Sequence, residues 1–449
     1  MRSELRSRYL IFVLSGLFFF STAFPQDEIN WQVLPNSPVT SFRHDDAWFV
    51  SAKTGWISNG NGQVFRTTDG GDSWELQLSR TNVWFRSIVF IDSLRGWVGN
   101  LGPNCFAPGV NDPTLLFHTQ NGGVSWTPVF NIERPHVSGI CGMWAVNDSV
   151  VYGAGSICGN PGLIKTTDGG GYWSAIDMNP YVDRLVDCYF FSPDSGFVVG
   201  GIGGETNTRG IIMFTADGGE TWEEKYRTVN SPLWCWKISF PTATSGYVSL
   251  ETPQASGIRR TWFLKTTDKG ETWEEKPFLD NNTFYWEQGM GFATESIGWI
   301  GGDDDTYESR DGGETWQITD NATNLNRVRM VNDTLGFAVG ERVYKYTRKV
   351  PVGVPNNENY LPKGYELAQN FPNPFNPTTQ ISYKIPRAEN VALRIYNVAG
   401  QEVKVPVNEF QPAGSYTVAL NASDLPSGVY LYRLLTDGFV DTRKLVVMR

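Results

Sequence analysis

The sequence predicts an all-β protein: a seven-bladed β-propeller followed by a small Ig-like β-sandwich. Three observations carry that reading. A turn motif ending in Trp recurs six times at near-constant spacing, a Gly-aromatic pair recurs beside it, and all 17 Trp lie at or before Trp316. Hydrophobic residues make up 40% of the 449, aromatics 14% and charged residues only 19%, so the chain can bury a large core. The 47 Gly and 25 Pro suit short strands joined by turns.

The N-terminus comes first in chain order. Arg2, Arg6 and Arg8 precede the apolar run from Leu10 to Phe20, and Ser21-Thr22-Ala23 supplies small residues. Basic, apolar and small-residue regions in that order describe a secretory signal over residues 1–23, cut near Ala23, and the apolar run is too short to span a bilayer. No later stretch is long enough for a membrane span. The net charge of −10 and the lack of any Lys/Arg stripe argue against nucleic acid as a partner.

The repeat occupies residues 27–348. Thr67 to Trp74, Thr119 to Trp126, Thr166 to Trp173, Thr215 to Trp222, Thr266 to Trp273 and Ser309 to Trp316 fit S/T-x-D-x-G-x-x-W. The third position is Asp69, Asn121, Asp168, Asp217, Asp268 and Asp311 in turn. The Trp residues are spaced by 52, 47, 49, 51 and 43 positions, which is propeller-blade spacing. Asp and Gly at fixed places are hairpin chemistry, so a turn repeated in every blade is read as structural, not as a set of metal sites. No metal or cofactor is expected.

Gly55-Trp56, Gly96-Trp97, Gly196-Phe197, Gly246-Tyr247 and Gly298-Trp299 form the second marker, with Val151-Tyr152 as a degenerate member. A seventh, Gly336-Phe337, has a following strand but no box. Trp31 to Leu34 resembles the strand that follows each box, so the N-terminal strand is expected to complete the seventh blade and close the ring.

Inner strands end in an aromatic six residues before the marker, as at Phe49 and Phe90. Their starts should share one face with the long loops after the marker, opposite the boxes. That face carries the expected ligand contacts: Arg43, Trp84, Arg86, Arg184, Trp234, Trp236, Lys237, Trp286 and Arg327. Aromatics mixed with charges suit a protein or glycan ligand. Alternation along a strand turns about half of such residues toward neighbouring blades instead. Of five Cys, Cys141, Cys188 and Cys235 sit in apolar strands, while Cys105 and Cys158 sit in loops of neighbouring repeats, which permits a bridge between them.

Taken together, these motifs resemble the Asp boxes (BNR repeats) of sialidases, and their order over residues 27–348 resembles propellers of the photosystem II stability/assembly factor-like family. That resemblance implies a non-enzymatic binding scaffold with no catalytic residues. The alternative is an extracellular glycoside hydrolase. Phe42-Arg43-His44-Asp45 begins like the F-R-I-P motif of sialidases and then departs, and Asp45 or Asp46 with Glu287 would be its carboxylate pair.

Residues 349–362 read as a linker. Residues 363–449 alternate as strands between turns. Asn370-Phe371-Pro372-Asn373-Pro374-Phe375-Asn376-Pro377-Thr378-Thr379, Ile395 to Val403, Leu425 to Arg433 and the terminal Lys444 to Arg449 resemble a type IX secretion system C-terminal sorting domain (type A). The resemblance implies passage through the periplasm, handling by the type IX machinery, and a secreted or cell-surface protein.

Overall fold

A computed structural model describes residues 28–41, 43–103, 105, 109–133, 137–204, 206–253, 261–279, 288–302, 305–319, 322–349, 364–387, 389–411, 414–436 and 438–448. The expected signal segment and most of the expected linker lie outside these residues. The chain divides into a unit spanning Glu28–Val350 and a second containing Pro351–Arg449.

The first unit contains seven four-stranded antiparallel sheets among the described residues. Their inner strands are His44–Phe49, Phe85–Phe90, Gly142–Ala145, Arg184–Phe190, Trp234–Ser239, Gly289–Phe292 and Arg327–Asn332, here the inner strands of blades 1 to 7. Each packs against the next, and that of blade 7 against that of blade 1, so the ring closes. Blade 7 takes its outermost strand from the N-terminus: Glu28–Val33 pairs antiparallel with Val343–Lys349, Trp31 opposite Tyr346. The last propeller strand therefore runs one residue into the expected linker, because Lys349 lies opposite Glu28.

The two sequence markers have separate physical jobs. In the box of blade 1, Thr67 Oγ1 donates to Asp69 Oδ1 at 2.8 Å and accepts from Gly71 N at 2.8 Å. Asp69 accepts Ser73 N at 2.9 Å, and Trp74 Nε1 caps Gly71 O at 3.1 Å. Gly70 and Gly71 hold φ of +81° and +95°, where only glycine is unstrained. The Thr–Asp and Asp–backbone bonds recur in the boxes of Asp168, Asp217 and Asp268, and Ser309 replaces Thr at Asp311. Asn121 substitutes by accepting the same N–H and donating Nδ2 to Ser125 Oγ.

The Gly-aromatic marker joins blades. A Cβ on Gly96 would lie 2.4 Å from Phe90, and one on Gly55 2.3 Å from Phe49. With one ring face laid on glycine, each Phe offers its other face to the marker aromatic of the preceding blade. Trp56 stacks on Phe90, Tyr152 on Phe190, Tyr247 on Phe292 and Phe337 on Phe49, each with centroids 3.5 Å apart. The last pair spans the closure between blades 7 and 1.

The second unit is a sandwich of one three-stranded and one four-stranded sheet. Its core includes Phe375, Ile381, Tyr383, Leu393, Ile395, Tyr432, Leu434, Leu445 and Val447. The Asn/Pro-rich segment is stitched to the last two strands, Gly428–Thr436 and Val440–Val447. Asn373 accepts Val446 N at 2.8 Å, and Asn370 N donates to Tyr432 Oη at 2.8 Å.

Candidate ligand-binding mouth

Register places the inner-strand starts beside the long loops: Phe85 opposite Asn100, Arg184 opposite Gly201, Trp234 opposite Glu251. The boxes lie at the other ends of the strands, with Gly55 opposite both Phe49 and Thr67.

At the strand starts the alternation of side chains is broken. Blades 1, 2, 4 and 5 each carry a register shift there, between His44 and Asp46, Phe85 and Ser87, Leu185 and Asp187, and Cys235 and Ile238. A bulge inserts one residue and re-aims its side chain. Adjacent residues can then both serve the ring interior, as Asp45 and Asp46 do. Asp45 accepts Arg86 Nη1 at 2.6 Å and Trp84 Nε1 at 2.7 Å. Asp46 pairs with Arg327 at 3.1 Å and with Arg329 at 3.3 Å.

Asp46 and Asp187 act alike. Asp46 accepts Ile88 N from blade 2 and Asp187 accepts Ile238 N from blade 5, each at 3.2 Å. Burial alone would raise both carboxyls, but Arg329 and Arg327 around Asp46, and Arg327 and Lys237 around Asp187, outweigh it and hold both below the usual carboxylate range. Arg329 continues the network, lying over Trp48 and Trp144 at 5.0 and 5.7 Å.

Arg86, Trp236, Lys237 and Arg327, expected as ligand contacts, are at most 2% exposed. Their burial follows from the bulges and from cross-ring partners. Arg86 lies 5.4 Å over the ring of Trp236, and Arg327 is held by Asp187 and Asp46. Trp234 is 8% exposed, with Arg184 4.9 Å over its ring. Trp84, Arg43 and Arg184 are half-buried. Arg43 bonds to Gln288, and to Asp45 at 3.4 Å. Trp286 and Glu287 lie outside the described residues.

Loops from blades 2 and 3 roof part of the mouth. Cys105 and Cys158 form a disulfide with S–S 2.11 Å. Leu101, Cys105 and Ile157 pack with Trp84, Trp234 and Trp236 in one apolar cluster. Cys141, Cys188 and Cys235 are free and buried. Asp187 and Arg329 belong to this network without a motif that marks them in the sequence. The available signal was a charge in the middle of an otherwise apolar strand, as in Arg184–Phe190.

Solved structures that share the fold include the following three. YCF48 bound to a D1 peptide aligns at 19% identity, covering 74% of this chain and 99% of that one, TM-score 0.51. YCF48 from Cyanidioschyzon merolae aligns at 17%, covering 71% and 98%, TM-score 0.53. A GH74 xyloglucanase from Xanthomonas campestris aligns at 10%, covering 80% of this chain and 60% of that one, TM-score 0.52. At such identities the likeness speaks for the propeller fold alone. No curated protein sequence matches the chain, and no helix among the described residues is long and apolar enough to cross a membrane. Residues 369–448 match the family described as a secretion system C-terminal sorting domain, which marks the chain as cargo of the type IX secretion route.

Proposed function

We propose that the propeller is a non-catalytic scaffold that binds an extended protein or glycan ligand at its loop-bearing mouth, outside the cell. The sorting domain supports the location, as secreted cargo or as a protein attached at the outer surface. One observation carries binding over hydrolysis. Asp45 and Asp46, the described carboxylates of the glycosidase alternative, are fully buried, with Trp84 and Arg86 each donating to one oxygen of Asp45 and Arg327 and Arg329 paired with Asp46. A catalytic acid or nucleophile must reach substrate with a free oxygen. Asp45 instead fixes the half-buried Trp84 in place and holds Arg86 in the interior, and a rigid aromatic at the rim is what recognition needs.

The test is a glycan and peptide array probed with the full chain, with reducing-sugar release assayed on every hit. The expected result is binding without release, weakened about tenfold or more by Trp84→Ala or Arg184→Ala. Release that is lost on Asp45→Asn would replace this reading with a hydrolase.

A further inference from the structure

The bulge in the inner strand of blade 5 turns Lys237 into the ring interior, where the side chain is fully buried. Its neighbours there are charged: Arg327 and Arg86 on one side of the balance, Asp187 and Asp46 on the other. Yet Lys237 Nζ has no hydrogen-bond partner among the described residues, and neither does Nη2 of Arg86. The carboxylates are already taken. Asp45 holds Arg86, Asp46 holds Arg329 and Arg327, and Asp187 chelates Arg327 through both oxygens, at 2.6 and 3.1 Å. Among the described residues each of these carboxylates is thus engaged by arginine, Asp45 by Arg43 as well, and Lys237 is the cation with no acceptor.

A buried ammonium with no acceptor is costly and must lose its proton or gain an anion. We propose that the ring interior binds one small monovalent anion, of the halide class, between Lys237 Nζ and Arg86 Nη2. The size follows from the surroundings. Both nitrogens are closed off from solvent, and Trp236, Cys141 and Val186 belong to the apolar cluster beside them, so nothing much larger than an ion can be housed. The single charge matches the one ammonium left without an acceptor. Such an ion would neutralise the ring interior and leave the half-buried rim to the larger ligand, so this site is separate from the proposed mouth.

Bromide is the probe. Crystals of the full chain grown with sodium bromide should show an anomalous difference peak within hydrogen-bonding reach of Lys237 Nζ and Arg86 Nη2. In solution, replacing gluconate by bromide at constant ionic strength and pH should raise the melting temperature, on the order of 2–3 °C per tenfold bromide above its dissociation constant. Lys237→Met should abolish that response. No peak at this position overturns the proposal, as does a Lys237→Met chain that responds to bromide like the parent. The crystallographic arm needs no variant, so a Lys237→Met chain that fails to fold leaves the outcome decided.

Discussion

Arg327 in blade 7 meets Asp187 in blade 4 across the ring, with Nη1 to Oδ2 at 2.6 Å and Nη2 to Oδ1 at 3.1 Å. Both side chains are at most 2% exposed. The pair links blades that are not neighbours, whereas the stacked aromatics link only neighbours. Arg327→Met would leave Asp187 and Asp46 without their shared cation. Breaking a buried pair from one side costs about 3–5 kcal/mol, so a large loss of stability is expected by denaturant titration. Arg327→Met with Asp187→Leu should recover part of it.

The same network sets a pH dependence. Asp46 and Asp187 are held below the usual carboxylate range in the folded ring, while in the unfolded chain they titrate near 3.9, as a free Asp does. Their contribution is therefore complete above about pH 4 and is lost as pH falls through the lower folded values. Stability measured from pH 6 downward should stay level and then drop in acid, and Asp46→Asn should flatten the drop while lowering the plateau.

The architecture was legible in the sequence because each device is local. A box is a hairpin whose Asp, Gly and Trp all sit within eight residues, and the strand at Trp31 reads like its counterparts. The interior site was only half legible. Arg86, Lys237 and Arg327 read as charges at strand starts, but the burial of Arg86 and Arg327 depends on Asp45 and Asp187, 41 and 140 positions away. Simple alternation also failed where bulges set in. Asp45 and Asp46 would lie on opposite faces of a regular strand, and one inserted residue in blade 1 brings both to the interior.

The Gly-aromatic marker makes a packing prediction. Phe90 is caught between Gly96 and Trp56, whose ring lies 3.5 Å away and 7° from parallel. A methyl on Gly96 has no room unless that stack opens. Overpacking of this kind costs about 1–3 kcal/mol. Gly96→Ala should lower the melting temperature clearly, and adding Phe90→Leu should return part of the loss by freeing the space.

Box carboxylates make a contrasting prediction. Hydrogen bonds from Ser73 and Thr67 lower the pKa of Asp69, and those from Thr221 and Thr215 do the same for Asp217. Their function is to accept, and Asn121 shows that an amide accepts as well. Asp217→Asn should leave thermal stability at neutral pH nearly unchanged, because Nδ2 can face the hydroxyl of Thr221 as Asn121 faces Ser125. Asp217→Ala should lower the melting temperature, since it leaves Thr221 N without its acceptor.

Ring closure gives the last prediction. The outer strand of blade 7 comes from the far end of the unit, and Trp31 packs edge-on against Trp299 of blade 6 at 5.1 Å and tilted against Tyr346 at 5.4 Å. It is half-buried, so Trp31→Ala should cost less than the 3–5 kcal/mol of a fully buried Trp, about 2–3 kcal/mol. Removing residues 28–33 goes further, because it also strips the backbone partners of residues 344–349 and exposes a strand edge. A chain lacking them should melt lower than Trp31→Ala and should self-associate through that edge, seen as a concentration-dependent shift in sedimentation. A synthetic peptide of residues 28–34 added in excess should reverse both effects; if it does not, the strand contributes through its covalent connection and not through pairing.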